Sequence, residues 1–177
     1  MIQEGIKKLI EKLIYFIITR PDITFVVGVL SRFMHQSREA HWTVTLKILV
    51  YVKSSPEKGL LYKKYGHVRI SGYSDSSYAG DKGDRKSTTG YCTFVGENFV
   101  TWRSKKQDVI SRFSAETEYR VMAHTACEMI WLKNIIMELD FKQSGPCLCI
   151  VIIIQQSILL RILYFMRGLS TLRLIVI

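Results

Sequence analysis

The apolar period of this chain changes twice, and the two changes decide what it can fold into. Ile6, Leu9, Ile10, Leu13, Ile14 and Ile17 recur at helical spacing, the spacing becomes two from Leu60, and it is helical again from Ser114. A helix buries one stripe at a period of 3.6 and a strand buries one face at a period of 2. The chain must therefore set a sheet among helices. The first stripe stops at Arg20-Pro21, and Pro21 in a first turn with Asp22 behind it predicts a second helix through Met34. A third is predicted over 38–52, with Trp42, Leu46, Leu49 and Val50 facing a partner helix, and Pro56-Glu57-Lys58-Gly59 ends it.

Strands are predicted over 59–63, 68–76, 89–95 and 98–102, the last two joined by a tight hairpin at Gly96-Glu97. A long helix follows over 114–139, with Ser114 as its N-cap and Tyr119, Met122, Ala123, Ala126, Ile130 and Leu139 as its apolar stripe. Strands followed by a long helix describe an α/β (α+β) layer fold with a mixed sheet, here preceded by an N-terminal helical segment.

At 177 residues the chain has room for one medium domain or one domain with an appended helical piece. Its net charge of +10 suits a polyanionic partner, nucleic acid or an acidic membrane surface, and equally a solvated basic face. Cys92, Cys127, Cys147 and Cys149 form no C-x-x-C pair, which argues for free thiols in a reducing compartment and against a disulfide frame or zinc site. The start, Met-Ile-Gln-Glu-Gly-Ile-Lys-Lys, has no apolar region with a cleavage site, so no signal peptide and a cytoplasmic or nuclear location are expected.

The acidic residues carry the chemistry. Asp75 sits at the end of the second predicted strand, in a run of small residues, and Glu116 and Glu118 open the long helix. Carboxylates on a strand and a following helix can converge on one divalent cation. They can as well be a turn acid and charges that complement a helix N-terminus. Glu116 and Glu118 are two apart and cannot both face the sheet; Met122, Thr125 and Ala126 follow Glu118 at helical spacing, making it the inward candidate. Asp81 and Asp84 read as solvated loop acids beside Arg85 and Lys86. Trp102-Arg103-Ser104-Lys105-Lys106-Gln107 reads as a strand end leading into a basic loop able to grip phosphates, with Trp102 either core or a stacking surface. His35, Glu39 and His41 approach a metal spacing, but they lie at a helix–helix turn without a further ligand, which favours a structural role.

Tyr73-Ser74-Asp75-Ser76-Ser77-Tyr78-Ala79-Gly80-Asp81, Asp84-Arg85-Lys86-Ser87-Thr88-Thr89-Gly90-Tyr91, the Trp102–Gln107 run and Ser114-Ala115-Glu116-Thr117-Glu118-Tyr119 occur in this order. Together they strongly resemble the ribonuclease H domain at the C-terminal end of the Pol polyprotein of copia-type LTR retrotransposons. Thr19-Arg20-Pro21-Asp22-Ile23, Phe33-Met34-His35 and Glu39-Ala40-His41-Trp42 resemble the segment linking the reverse transcriptase to that domain, so the resemblance covers roughly residues 8–146. It implies an RNase H-like fold that hydrolyses the RNA strand of an RNA–DNA hybrid with two divalent ions, Mg²⁺ or Mn²⁺, held ~4 Å apart. By the same resemblance Asp75 is the strand carboxylate bridging the metals and Glu118 the helix carboxylate. The hybrid is read through phosphates and 2′-hydroxyls, with Arg103, Lys105 and Lys106 as the contacts.

The family pattern also contains two later aspartates, one in a Tyr-Cys-Asp-Asn motif on a strand after the long helix and one near a His-x-x-x-Asp pattern. This chain has no Asp or Glu after Asp140. Its apolar tail can be an ordinary C-terminal helix or a membrane span, although Gln155, Gln156 and Arg161 interrupt the ~20 residues that a span needs. A slipped reading frame fits better. With a choice among synonymous codons, taking the third base of each codon with the next two can spell Tyr-Cys-Asp-Asn across Cys149 to Ile153, the Asp arising from Val151 and Ile152. The same offset can spell His-Glu-Arg-Thr-Lys-His-Ile across Phe165 to Leu172, with Met166 forcing the first base of the Glu codon. The expected organisation is therefore a helical connection segment at 1–56, a truncated RNase H-like domain at 57–142 and an aberrant tail at 143–177.

Two chemical expectations follow. Asp75 and Glu118, left without partners, repel each other and their pKa values rise. Loss of the strand bearing the missing aspartate leaves a sheet edge unpaired, which the apolar tail either covers or leaves open to aggregation. The expected function is a Pol remnant without nuclease activity; the alternatives are a non-catalytic nucleic-acid-binding module and a working nuclease with a substitute metal ligand.

Overall fold

In the first helix Ile6, Ile10 and Leu13 are spaced to meet one neighbour, and all three are buried. The structure, a computed structural model, describes residues 2–80, 83–142, 145–151 and 172–176. It divides into two compact units, Met1–Leu61 and Tyr62–Ile177.

The first unit is helical: α1 (Ile2–Phe16), a 3₁₀ turn (Pro21–Ile23), α2 (Thr24–Ser31) and α3 (Glu39–Ser54). Its core joins the α1 residues to Ile23, Val27, Leu30 and Ile48, with Trp42, Leu49 and Val52 packed against them. The predicted second helix is thus split: Pro21 starts only a 3₁₀ turn, and α2 ends at Ser31, short of Met34. In α3, Thr45 and Ile48 point inward while Leu46 and Val50 are exposed, a rotation of the predicted face. Thr45 can turn inward because its hydroxyl donates to the His41 carbonyl oxygen (2.8 Å), leaving its methyl to pack.

The second unit is a mixed sheet with a helix against it. Its strands are β1 (Ile70–Ser77), β2 (Thr88–Val95), β3 (Asn98–Lys106), β4 (Cys147–Val151) and β5 (Leu172–Val176), with α4 (Ser114–Glu138) between β3 and β4. The spatial order is β3-β2-β1-β4-β5. β1, β2 and β3 form an antiparallel meander, while β4 runs parallel to β1 and β5 parallel to β4. This is an α/β fold with the mixed sheet and flanking helices of an RNase H-like architecture. Gly96 and Glu97, at φ of 54° and 65°, make the β2–β3 hairpin, as the sequence predicts.

Residues 59–63 are not a strand; Lys63 pairs only with a side chain, its N–H donating to Asn98 Oδ1 (2.7 Å) and its carbonyl accepting from Asn98 Nδ2 (2.8 Å). β3 continues to Lys106, so the basic residues after Trp102 lie on a strand and not in a loop. Ser114 is the first residue of α4 and not its cap; the N-cap is Phe113, with no side-chain cap. The α4 stripe is Thr117, Glu118, Val121, Met122, Thr125, Met129, Leu132 and Ile136, whereas Ala123, Ile130 and Leu139 face out. The expected unpaired edge beside β1 is filled: Ser71 to Ser74 pair with Leu148 to Val151. Cys147 and Cys149 of that strand enter the core with Ile70, Met122 and Met129. Most of the apolar tail, including nearly all of the Phe165–Leu172 alternative-frame motif and the last two residues of the Cys149–Ile153 one, falls within 152–171, outside the described residues. No helix among the described residues is long and apolar enough to cross a membrane.

Candidate active site and adjoining cationic cleft

β1 alternates along its length, with Ile70, Gly72 and Ser74 buried and Tyr73 and Asp75 exposed. The buried side is the α4 side, because a Cβ on Gly72 would stand 2.7 Å from Met129 Sδ. Alternation then puts Asp75 on the other side, at the C-terminal end of the strand. Its Oδ1 accepts a hydrogen bond from the Ser76 N–H (2.8 Å). Ser76, back on the helix side, shares a hydroxyl hydrogen bond with Thr117 (2.9 Å), which ties the end of β1 to the first turn of α4.

Glu118 follows on that turn and is only 9% exposed. One of its oxygens, Oε2, is buried without a hydrogen-bond partner. Its pKa is raised, chiefly by burial and further by the charge of Asp75, against a lowering hydrogen bond from Ser76. The rise expected for Glu118 is therefore present, with desolvation and not repulsion as its larger cause. Glu116 behaves differently: Arg120 Nη2 donates to it at 2.8 Å, the Arg112 N–H donates at 3.0 Å, and its pKa is lowered, Arg120 being the main cause. It secures the helix start and takes no part in the pairing of Asp75 with Glu118.

Asp75 and Glu118 thus come within electrostatic range of one another. Among the described residues no group of three or more His, Cys, Asp or Glu is placed to hold a metal. β4 and everything after it contain no carboxylate. The donor set does not fit a two-ion centre, in which each cation needs its own oxygen ligands. His41 is occupied structurally, its Nδ1 accepting from the Arg38 N–H (2.9 Å) and its ring stacked on Phe33 at 4.3 Å.

Next to the pair, on the helix side of the sheet, lies a cleft of about 310 Å³. Its floor includes Thr89 and Tyr91 of β2 with their register partners Lys105 and Arg103 of β3, and Arg120 and His124 of α4 form a wall. Thr89 is also the register partner of Ser76, so the cleft begins one strand away from the carboxylates. Gln107 Nε2 donates to Thr89 Oγ1 (3.1 Å), and Lys106 forms an ion pair with Asp84. The Tyr91 hydroxyl donates to Glu128 Oε2 (3.3 Å); burial, then the Glu128 charge, raises its pKa, and Arg103 opposes the rise. The structure therefore gathers Arg103, Lys105 and Lys106, the three predicted phosphate contacts, along one cleft. Arg120 and His124 were missed by sequence reasoning, although their four-residue spacing sets them on one face of the helix.

The Pol polyprotein of transposon RE1 from Arabidopsis thaliana is 39% identical over 138 residues, which is 78% of this chain and 9% of the relative. That of transposon RE2, from the same plant, is 36% identical over 138 residues, 78% of the chain and 10% of the relative. Secreted RxLR effector protein 161 of Plasmopara viticola is 38% identical over 116 residues, covering 66% of this chain and 82% of that protein. The chain is thus similar to one segment of the retrovirus-related Pol polyproteins of transposons. It spans about a tenth of the length of the Pol polyproteins it matches. No protein-family model and no solved structure matches the chain.

Proposed function

We propose that the chain is a Pol polyprotein remnant whose RNase H-like unit binds RNA–DNA hybrid, or another nucleic acid, through the cationic cleft without cleaving it. The observation that carries this reading is the pairing of a complete basic cleft with an incomplete carboxylate set. Arg103 and Lys105 are placed by the β2–β3 register, and Lys106 stands beside them. Their charge and the overall +10 favour phosphate oxygens as ligands. Asp75 and Glu118 mark where the resemblance puts Mg²⁺ or Mn²⁺, but they supply too few oxygens to hold two ions, so hydrolysis is lost while backbone recognition persists.

The test is to incubate the purified chain with a labelled hybrid duplex in Mg²⁺ or Mn²⁺, and to titrate the same duplex by anisotropy at several salt concentrations. Expected are no cleavage, and binding that weakens with salt and is insensitive to Asp75→Asn. Two positive charges removed by Arg103→Ala with Lys105→Ala reduce the salt slope by about 1.8. Robust cleavage abolished by Asp75→Asn overturns the reading and establishes a working nuclease with a substitute ligand.

A further inference from the structure

We infer that the sheet face opposite α4 is a stacking platform for unpaired nucleic acid, on a surface separate from the cleft. Gly72 and Thr93 turn towards α4, so their strand neighbours Tyr73 and Cys92, with Trp102 paired to Cys92, turn away. On that side four rings form an unbroken strip. Tyr73 meets Phe94 edge-on at 5.6 Å, Phe94 meets Phe99 edge-on at 5.0 Å, and Phe99 stacks on Trp102 at 5.0 Å. None of the four joins the apolar cluster beneath α4. Tyr73 is 39% exposed and the other three are partly exposed. A strip of rings that is neither core nor fully shielded offers π-faces to a flat ligand.

The cations beside it select the ligand. Tyr62-Lys63-Lys64-Tyr65 is exposed throughout. The two Asn98–Lys63 hydrogen bonds hold this segment at the start of β3, next to Phe99. No ion pair engages Lys63 or Lys64 among the described residues. Asp75, exposed on the same side as Tyr73, makes the far end of the face negative. Beside Phe99, Lys63 and Lys64 outnumber the one nearby carboxylate, Glu97, which lies 3.9 Å from His67 Nε2. An apolar protein partner has no use for two lysines set between tyrosines, whereas a polynucleotide uses both: bases stack on rings and phosphates meet ammonium groups. A duplex hides its base faces, which restricts the ligand to an unpaired strand.

The test titrates the full chain into a short fluorescein-labelled oligothymidylate and into an abasic phosphodiester of the same length, read by anisotropy. Expected is binding of oligothymidylate about tenfold or more tighter than of the abasic strand. Trp102→Leu and Tyr73→Leu each weaken oligothymidylate binding about fivefold or more, Tyr73 being the exposed position where folding is safest and circular dichroism checks it. Lys63→Ala with Lys64→Ala lowers the salt slope by about 1.4. Arg103→Ala with Lys105→Ala weakens hybrid binding alone, which separates this platform from the cleft. Equal affinity for the abasic strand, or no binding of oligothymidylate, overturns the inference. So does unchanged binding by folded Tyr73→Leu. Salt-resistant self-association lost in Trp102→Leu assigns the face to a second copy of the chain and overturns it as well.

Discussion

Glu118 lies close enough to Asp75 for the aspartate's charge to raise its pKa, yet its burial raises that pKa more. A carboxyl with a raised folded-state pKa binds protons more tightly when folded, so stability falls as pH rises from the ordinary value of 4.5 through the folded value. Above that window the full penalty is present, and below 4.5 it vanishes. Glu118→Gln removes the charge while keeping a partner for Ser76. It is expected to stabilise the chain by about 1 kcal/mol at neutral pH, and to lose that advantage near pH 4. Urea unfolding of both proteins across this range decides it; a destabilised variant at neutral pH rules out desolvation as the dominant effect.

Arg20 is the opposite case, a buried charge fully answered. It is 2% exposed, with Nε and Nη2 donating to the two Asp22 oxygens at 3.0 and 2.8 Å and Nη1 donating to the Ser55 carbonyl at 3.1 Å. Tyr51 adds its hydroxyl to Asp22 Oδ2 (2.8 Å) and its ring to the guanidinium at 5.6 Å. The Arg20 hydrogen bonds, first among the causes, hold the Asp22 carboxyl down at about 2, against an ordinary 3.8. The stability they give is complete above pH 3.8 and is lost as pH falls through about 2. Thermal unfolding of Asp22→Asn is expected to show a lower midpoint than the parent near neutrality and a smaller loss on acidification. Parallel pH profiles for the two proteins contradict the assignment.

The elements that were legible were those whose polar and apolar residues separate cleanly. α1, the β2–β3 hairpin and the existence of α4 follow from period and turn chemistry. The inward face of α4 did not, because Thr117 and Thr125 count as polar by composition. Their hydroxyls donate to the carbonyl oxygens of Ser114 (2.6 Å) and Val121 (2.8 Å), so the side chains enter the core already satisfied. β4 was hidden for another reason: Cys147-Leu148-Cys149-Ile150-Val151 is apolar at every position and has no period to read. At the site, acid patterning offered Asp75 and Glu118 and the motifs named them, but their placement on opposite sides of the β1 end depends on a pleat that only the paired strands define.

Gly72 and Gly96 make a contrast that tests the packing. A Cβ on Gly72 meets the sulfur of Met129 at 2.7 Å and Thr125 Cγ2 at 3.1 Å, and the flexible methionine can give way. A Cβ on Gly96 runs into the backbone carbonyl of His67, which cannot move, and the residue sits at φ +54°. Gly72→Ala is expected to cost about 1 kcal/mol and Gly96→Ala about 3 kcal/mol or more, by denaturant unfolding. Equal costs would mean that the hairpin tolerates a side chain and that the His67 contact relaxes.

The filling of the sheet edge by β4 has a chemical signature in the thiols. Cys149 is 1% exposed and its pKa is pushed up to about 11 by burial, whereas Cys127 on the outer side of α4 is exposed. Alkylation proceeds through the thiolate, so a buried thiol of raised pKa is both inaccessible and protonated near pH 8. Brief iodoacetamide treatment of the native chain, mapped by mass spectrometry, is expected to label Cys127 and spare Cys149. Unfolding in denaturant then exposes both. Rapid labelling of Cys149 in the native chain would show that β4 does not dock beside β1, and that the edge expected from the altered tail is open after all.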